Sequence, residues 1–268
     1  MKSYLADLVA PEANPLRRKN LVREYLQARI LQGLQEHRAF LNWAFLGGTA
    51  LRFLYSMPRY SEDLELSVIH PTQDHRFREL LVGLKLAFEA EAYSVRIKVS
   101  DARTVCSAFL SFEGLLFELG ISPRRHEMLS VRIGIDTNPP LGAGTLTTLI
   151  RRYVTVNILH YDKPSLLAGK LHAVLTRKYT KGRDLYDLIW YLADNTWPAP
   201  NCELLNAALT QTGWRGERVT ENNWRDLLKV RLSQLDWERA AADVRPFLER
   251  DQDAALVTKE TCVKLLTA

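Results

Sequence analysis

Two acids, Asp63 and Glu65, stand two residues apart in the otherwise apolar end of Phe45–Val68, FLGGTALRFLYSMPRYSEDLELSV. Side chains at that spacing on a strand leave one face, so the two carboxylates converge. Converging carboxylates suit a hard cation such as Mg2+ or Mn2+, which takes acid and phosphate oxygens and keeps part of its water. Upstream, Gly47-Gly48 lets backbone approach an anion closely, and Thr49 is placed to cap a helix whose first N–H groups attract negative charge. Asp136, closing VRIGID, is a third acid of the kind a two-ion phosphoryl-transfer site would use. Each feature also has a plain structural reading: a glycine pair makes turns, exposed acids are solvated, and an acid before Thr-Asn-Pro-Pro ends a strand.

A second constellation is KLHAVLTRKYTKGRDLYDL, residues 170–188, where Lys170, Arg177, Lys178, Lys181 and Arg183 face only Asp184 and Asp187. Lys170 and Arg177 are seven apart and share a helix face, from which both could reach phosphates. Asp184 follows the Gly182 break, where a carboxylate caps the next helix or orients a neighbouring cation. Tyr186 has two readings, a base-stacking ring or a core aromatic.

These residues must be positioned by a chain of 268 residues, 47% of them apolar, enough to bury one large core or two modest ones. Cys106, Cys202 and Cys262 form no CxxC pair, which argues against a disulfide framework or a structural zinc site and favours a reducing cytoplasm. The N-terminal residues resemble no signal peptide, and no stretch nears the roughly 20 apolar residues that span a bilayer. The expectation is a cytoplasmic protein with no membrane association. A net charge of +5 permits an anionic partner such as RNA or nucleotide without requiring one.

Periodicity places helices at residues 20–40, 49–57 and 74–92, with Pro11 to Pro15 as a flexible lead. Strands are expected at 64–68, 93–99, 105–112, 115–119, 129–136 and 153–158. After Pro164 only short amphipathic helices follow, at 166–178, 184–193, 202–210, 224–232, 237–247 and 256–266. The fold class is therefore α/β (α+β), a mixed sheet flanked by helices to about residue 163 and a helical C-terminal region over 164–268. Trp190, Trp197, Trp214, Trp224 and Trp237 in that region serve either core packing or docking of another protein.

In order, LGGTALRFLY, RYSEDLELSV, IGIDTNPP and KLHAVLTRKYTKGRDLYDL resemble the successive motifs of the AbiEii-type toxins, within the DNA polymerase β-like nucleotidyltransferase superfamily. The resemblance spans roughly Leu46 to Leu192. It implies a minimal nucleotidyltransferase core, and a toxin of a type IV toxin–antitoxin or phage-defence pair with a cognate antitoxin encoded nearby. It implies a metal-dependent enzyme that moves a nucleotide from an NTP to RNA, as some relatives do at tRNA acceptor ends. By position, Gly47, Gly48, Thr49, Arg59 and Ser61 would line the nucleotide with Arg177, Lys181 and Arg183. Asp63, Glu65 and Asp136 would hold metal, and Lys170 and Asp184 would join Asp63 and Glu65 as catalytic residues. Two positions depart from the pattern: Glu65 stands where the family has Asp, and Gly134 where an acid is common. They motivate an alternative, a nucleotidyltransferase fold that acts by binding nucleotide, RNA or antitoxin with weak or no catalysis.

Overall fold

A computed structural model describes residues 2–70, 76–100, 104–179 and 181–267. The chain divides into two compact units. The first comprises Met1–Ser56, Tyr60–Pro139 and Thr147–His160; the second comprises Met57–Arg59, Pro140–Leu146 and Tyr161–Ala268. Two short pieces from the N-terminal portion thus group with the helices instead of with the sheet.

In chain order the first unit begins with α1 (Lys2–Val9), α2 (Pro15–Glu36), β1 (Trp43–Leu46), α3 (Gly47–Tyr55) and β2 (Asp63–Val68). It continues with α4 (Phe77–Ala90), β3 (Val95–Ser100), β4 (Val105–Glu113), α5 (Leu115–Glu118) and β5 (Met128–Asp136). The hairpin of β6 (Thr145–Arg152) and β7 (Val154–Tyr161) completes the strands. They form one mixed seven-stranded sheet in the order β3-β4-β5-β2-β1-β7-β6. At its centre β2 runs antiparallel to β1 and parallel to β5.

Alternation explains the central strands. Leu64, Leu66 and Val68 of β2 are buried, as are Val131, Ile133 and Ile135 of β5, and these rows form the apolar face. Asp63, Glu65 and Ser67 necessarily take the other face, beside their register partners Arg132, Gly134 and Asp136.

Several elements differ from the periodicity reading. The 115–119 strand is instead the short helix α5, because Gly114, with φ of 76°, turns the chain at the end of β4. Its LLFEL run has no period, so apolarity alone does not separate strand from helix. Helix α2 starts at Pro15, five residues early, because Asn14 caps it by accepting from the Leu16 and Arg17 amides, and Pro suits the first turn. The expected start of α4 at 74–75 lies outside the described residues, and the helix runs from Phe77. Helix α1 and strand β6 were not expected. β6 is an edge strand whose first five residues are all exposed, so it lacks the in-out alternation that marks a strand.

The second unit packs α6 (Lys163–Thr176), α7 (Gly182–Leu192), α8 (Cys202–Gln211), α9 (Trp224–Leu232), α10 (Trp237–Val244) and α11 (Lys259–Thr267). Helix α7 lies against α6, α10 and α11. Its first residue, Gly182, passes so close to α10 that a Cβ there would lie 1.8 Å from the Ala240 carbonyl oxygen. Trp224 is buried and Trp190, Trp197, Trp214 and Trp237 are half-buried. The Tyr191 and Trp197 rings meet edge to face at 4.2 Å, so at least this pair serves packing. Among the described residues no helix is long and apolar enough to cross a membrane.

Candidate nucleotide and metal site

β1 delivers the chain to Gly47, where α3 starts with Leu46 in the cap position and no side-chain cap. Thr49 does not cap this helix. It is buried, and its hydroxyl donates to the Asp63 carbonyl, tying the first turn of α3 to the start of β2. The sequence expectation of a Thr cap fails because the helix begins two residues earlier, at the glycine pair.

Gly47 is required by two observations. Its φ is +80°, a left-handed conformation that L side chains rarely adopt, and a Cβ there would stand 1.7 Å from Oε2 of Glu65. The glycine therefore leaves room for the Glu65 carboxylate, which sits against the backbone at the start of α3. Glu65 is exposed and the Asp63 side chain is 46% exposed, so both carboxylates reach solvent from one face of β2. Gly48, the second residue of α3, is buried.

α3 is anchored behind this turn by a network that the sequence reading missed. Arg52 is buried and pairs with buried Glu24, which also accepts from Arg152 Nε at 2.9 Å and Tyr153 Oη at 2.8 Å. Burial and the Glu24 charge push the Tyr153 phenol above its ordinary pKa. A polar residue inside a helical apolar pattern, such as Glu24, is the only sequence trace of this arrangement. Ser61 lies on the approach to β2, its carbonyl accepting from Gln27 Nε2 at 3.1 Å.

The third acid stands apart from the pair. Asp136 is in register with Ser67, while Asp63 is in register with Arg132 and Glu65 with Gly134. Asp136 is thus four positions past the level of Asp63, roughly 13 Å along the strand. Its Oδ1 accepts from the Asn138 amide at 2.9 Å, the turn role, and burial raises its pKa above the usual carboxylate value. Among the described residues no three Asp, Glu, His or Cys side chains are grouped to hold a metal. Arg132 stands beside the pair, with Nη1 3.8 Å from Asp63 Oδ2.

Asp63 and Glu65 nevertheless fit one hard divalent cation such as Mg2+ or Mn2+. The donors are oxygens only, both reach solvent, and the glycine beside Glu65 leaves its carboxylate free of side-chain crowding at that position.

In the second unit the basic stretch forms an ion-pair network. Lys170 Nζ lies 2.7 Å from Asp187 Oδ2 and 3.2 Å from Asp184 Oδ1, and Arg177 pairs with Asp184. Arg59, from the short piece Met57–Arg59, grips Asp187 with both arms of its guanidinium, Nε to Oδ1 at 2.6 Å and Nη2 to Oδ2 at 2.5 Å. Arg59 and Asp187 are both buried. Burial works to raise the Asp187 pKa, but Arg59 and Lys170 outweigh it and hold the carboxyl below its ordinary value. Arg183 stacks over the Phe247 ring at 4.1 Å, and Lys181 is the exposed residue before α7. Tyr186 is buried with its hydroxyl 3.5 Å from Asp253, the core reading and not an exposed stacking ring; burial pushes its pKa up to about 12.

The family described as nucleotidyl transferase AbiEii toxin, type IV toxin–antitoxin system, matches residues 29–258. The chain belongs to that family. The AbiEii match covers β1 to β7 and α6 to α10, and so includes Gly47, Asp63, Glu65, Lys170 and Asp187. Among solved structures, a candidate nucleotidyltransferase from H. pylori is similar at 18% identity and a TM-score of 0.47, over 91% of this chain and 96% of that one. JHP933 from Helicobacter pylori is similar at 18% identity and the same TM-score of 0.47, over 90% and 93%. No curated protein matches the chain.

Proposed function

We propose that this AbiEii-family chain transfers a nucleotidyl group from an NTP to an RNA hydroxyl, with a tRNA 3′ end as the acceptor. The observation that carries the reading is the exposed Asp63–Glu65 pair on β2, with the Glu65 carboxylate seated against the glycine turn that opens α3. In this reading Gly47, Gly48 and the first N–H groups of α3 receive the triphosphate, and Asp63 and Glu65 hold Mg2+ or Mn2+. Such a cation, when bound, supplies charge neutralisation on the phosphates and a lower pKa for the attacking hydroxyl. In the transfer the RNA oxygen bonds to the α-phosphorus as the bridging α–β P–O bond breaks. Pyrophosphate leaves and the hydroxyl proton passes to solvent.

To the second unit we assign a positioning part. The Arg59–Asp187–Lys170–Asp184–Arg177 network fixes α6 against α7 within that unit, and exposed Lys181, just before α7, is assigned to contact with RNA phosphates. Family membership in a type IV toxin–antitoxin system makes an antitoxin the expected protein partner.

The test is incubation of the full chain with Mg2+, tRNA and each of the four labelled NTPs. Label on tRNA that is lost in Asp63→Asn supports the proposal; no label on tRNA from any NTP overturns it. A second reading, nucleotide binding without catalysis, is favoured by Arg132 standing beside Asp63, where it competes with a cation. NTP binding by calorimetry without transfer selects that reading.

A further inference from the structure

We propose that the Arg132 guanidinium is a resident cation of the carboxylate site, so that the site takes one divalent ion per chain and not two. The inference rests on the nucleotidyltransferase reading of Asp63 and Glu65. Arg132 is the register partner of Asp63 on the parallel strand β5, so both side chains leave the same face of the sheet. Its Nη1 is 3.8 Å from Asp63 Oδ2. The guanidinium also lies over Gly134: a Cβ at that glycine would meet Nη1 at 3.2 Å, Nη2 at 3.4 Å and Cζ at 3.5 Å. Gly134 is in turn the register partner of Glu65. The β5 position beside Glu65 therefore bears no side chain, and the space above it holds a positive charge.

Charge and geometry lead to the same stoichiometry. Asp63 and Glu65 carry two negative charges and Arg132 one positive, a net of −1 before nucleotide binds. Two ions about 3.5 to 4 Å apart need bridging oxygens from several carboxylates, whereas at the Asp63–Glu65 end of this face two carboxylates stand beside an arginine. Asp136 sits two register positions beyond Glu65, about 7 Å along the strand, with Oδ1 accepting from the Asn138 amide. A guanidinium offers a planar fork of N–H donors, so Arg132 brings to phosphate oxygens both charge and directed hydrogen bonds.

The experiment is calorimetric titration of the full chain, loaded with a non-hydrolysable NTP analogue, using Mn2+ as the probe. Wild type is expected to bind one Mn2+ per chain. Arg132→Met is expected to bind it about tenfold more tightly, since a neighbouring positive charge is gone, and Arg132→Lys to stay within about twofold of wild type. Arg132→Gln replaces the Met variant if thermal melting shows Met to be misfolded. Two ions per wild-type chain, or an unchanged affinity on neutralising Arg132, overturns the inference and leaves the transferase reading standing. No Mn2+ binding by wild type overturns the metal-dependent reading, and the inference with it.

Discussion

The Glu65 carboxylate occupies the space that any side chain at Gly47 would need: a Cβ built there lies 1.7 Å from Oε2. Because Gly47 also has φ of +80°, Gly47→Ala combines backbone strain with expulsion of a carboxylate. The strain costs about 1–2 kcal/mol. Thermal melting should show that modest loss, while Mn2+ affinity should fall by at least an order of magnitude. Unchanged Mn2+ binding in a folded Gly47→Ala chain would contradict the assigned role of Glu65.

Asp63 is half exposed, so Asp63→Asn removes a charge with little packing change, and stability should stay within about 0.5 kcal/mol of wild type. Transfer of labelled nucleotide should drop by about a thousandfold or more, as expected when a group acting on the reacting phosphates is lost. Activity near the wild-type level would remove Asp63 from the site.

Thr49→Val keeps the shape of the side chain and deletes the hydroxyl that donates to the Asp63 carbonyl. The expected cost is about 1 kcal/mol. Since this bond ties α3 to β2, the kcat of transfer should fall further than stability alone predicts, which parallel activity and denaturation curves would show.

Asp187→Asn leaves buried Arg59 without its carboxylate and should cost about 3–5 kcal/mol at pH 7. The carboxyl is held below its ordinary value, so its contribution is complete above the unfolded pKa near 3.9 and fades as pH falls through the lower folded pKa. The gap between wild type and variant should therefore be constant from pH 7 to about 4 and shrink below that. Urea unfolding followed by tryptophan fluorescence reads this directly, because five of the six tryptophans lie in the second unit. A gap that grew on acidification would refute the sign.

Gly182→Ala places a methyl 1.8 Å from the backbone carbonyl of Ala240, which cannot swing aside as a side-chain tip would. A loss of about 3 kcal/mol is expected, at the high end for overpacking. Tolerance of alanine with an unchanged melting temperature would show that the α7–α10 approach is looser than described.

The local pattern of the sequence was enough for the α/β class, most strands and helices, and the acid pair of β2. Period-2 and period-3.6 apolarity reports which face of an element is buried, and Leu64, Leu66 and Val68 betray that face whatever the neighbours are. The motifs Gly-Gly-Thr-Ala-Leu and Arg-Asp-x-Tyr-Asp-Leu were likewise enough to reach the AbiEii family, which the match over residues 29–258 shows. Elements without such a pattern, the edge strand β6 and the turn helix α5, were missed or misread.

Pairing between distant segments belongs to the tertiary structure alone. The register that sets Glu65 beside Gly134 and Asp136 beside Ser67 depends on β2 and β5 meeting across some 70 residues of chain, and a shift of one residue would move every acid to the other face. Only the fold put Arg132 against Asp63, turned Arg59 toward Asp187, and filled the side-chain space of Gly47 with the Glu65 carboxylate. Sequence names the charged residues, but burial and proximity select their partners, because the energy of a charge depends on what surrounds it.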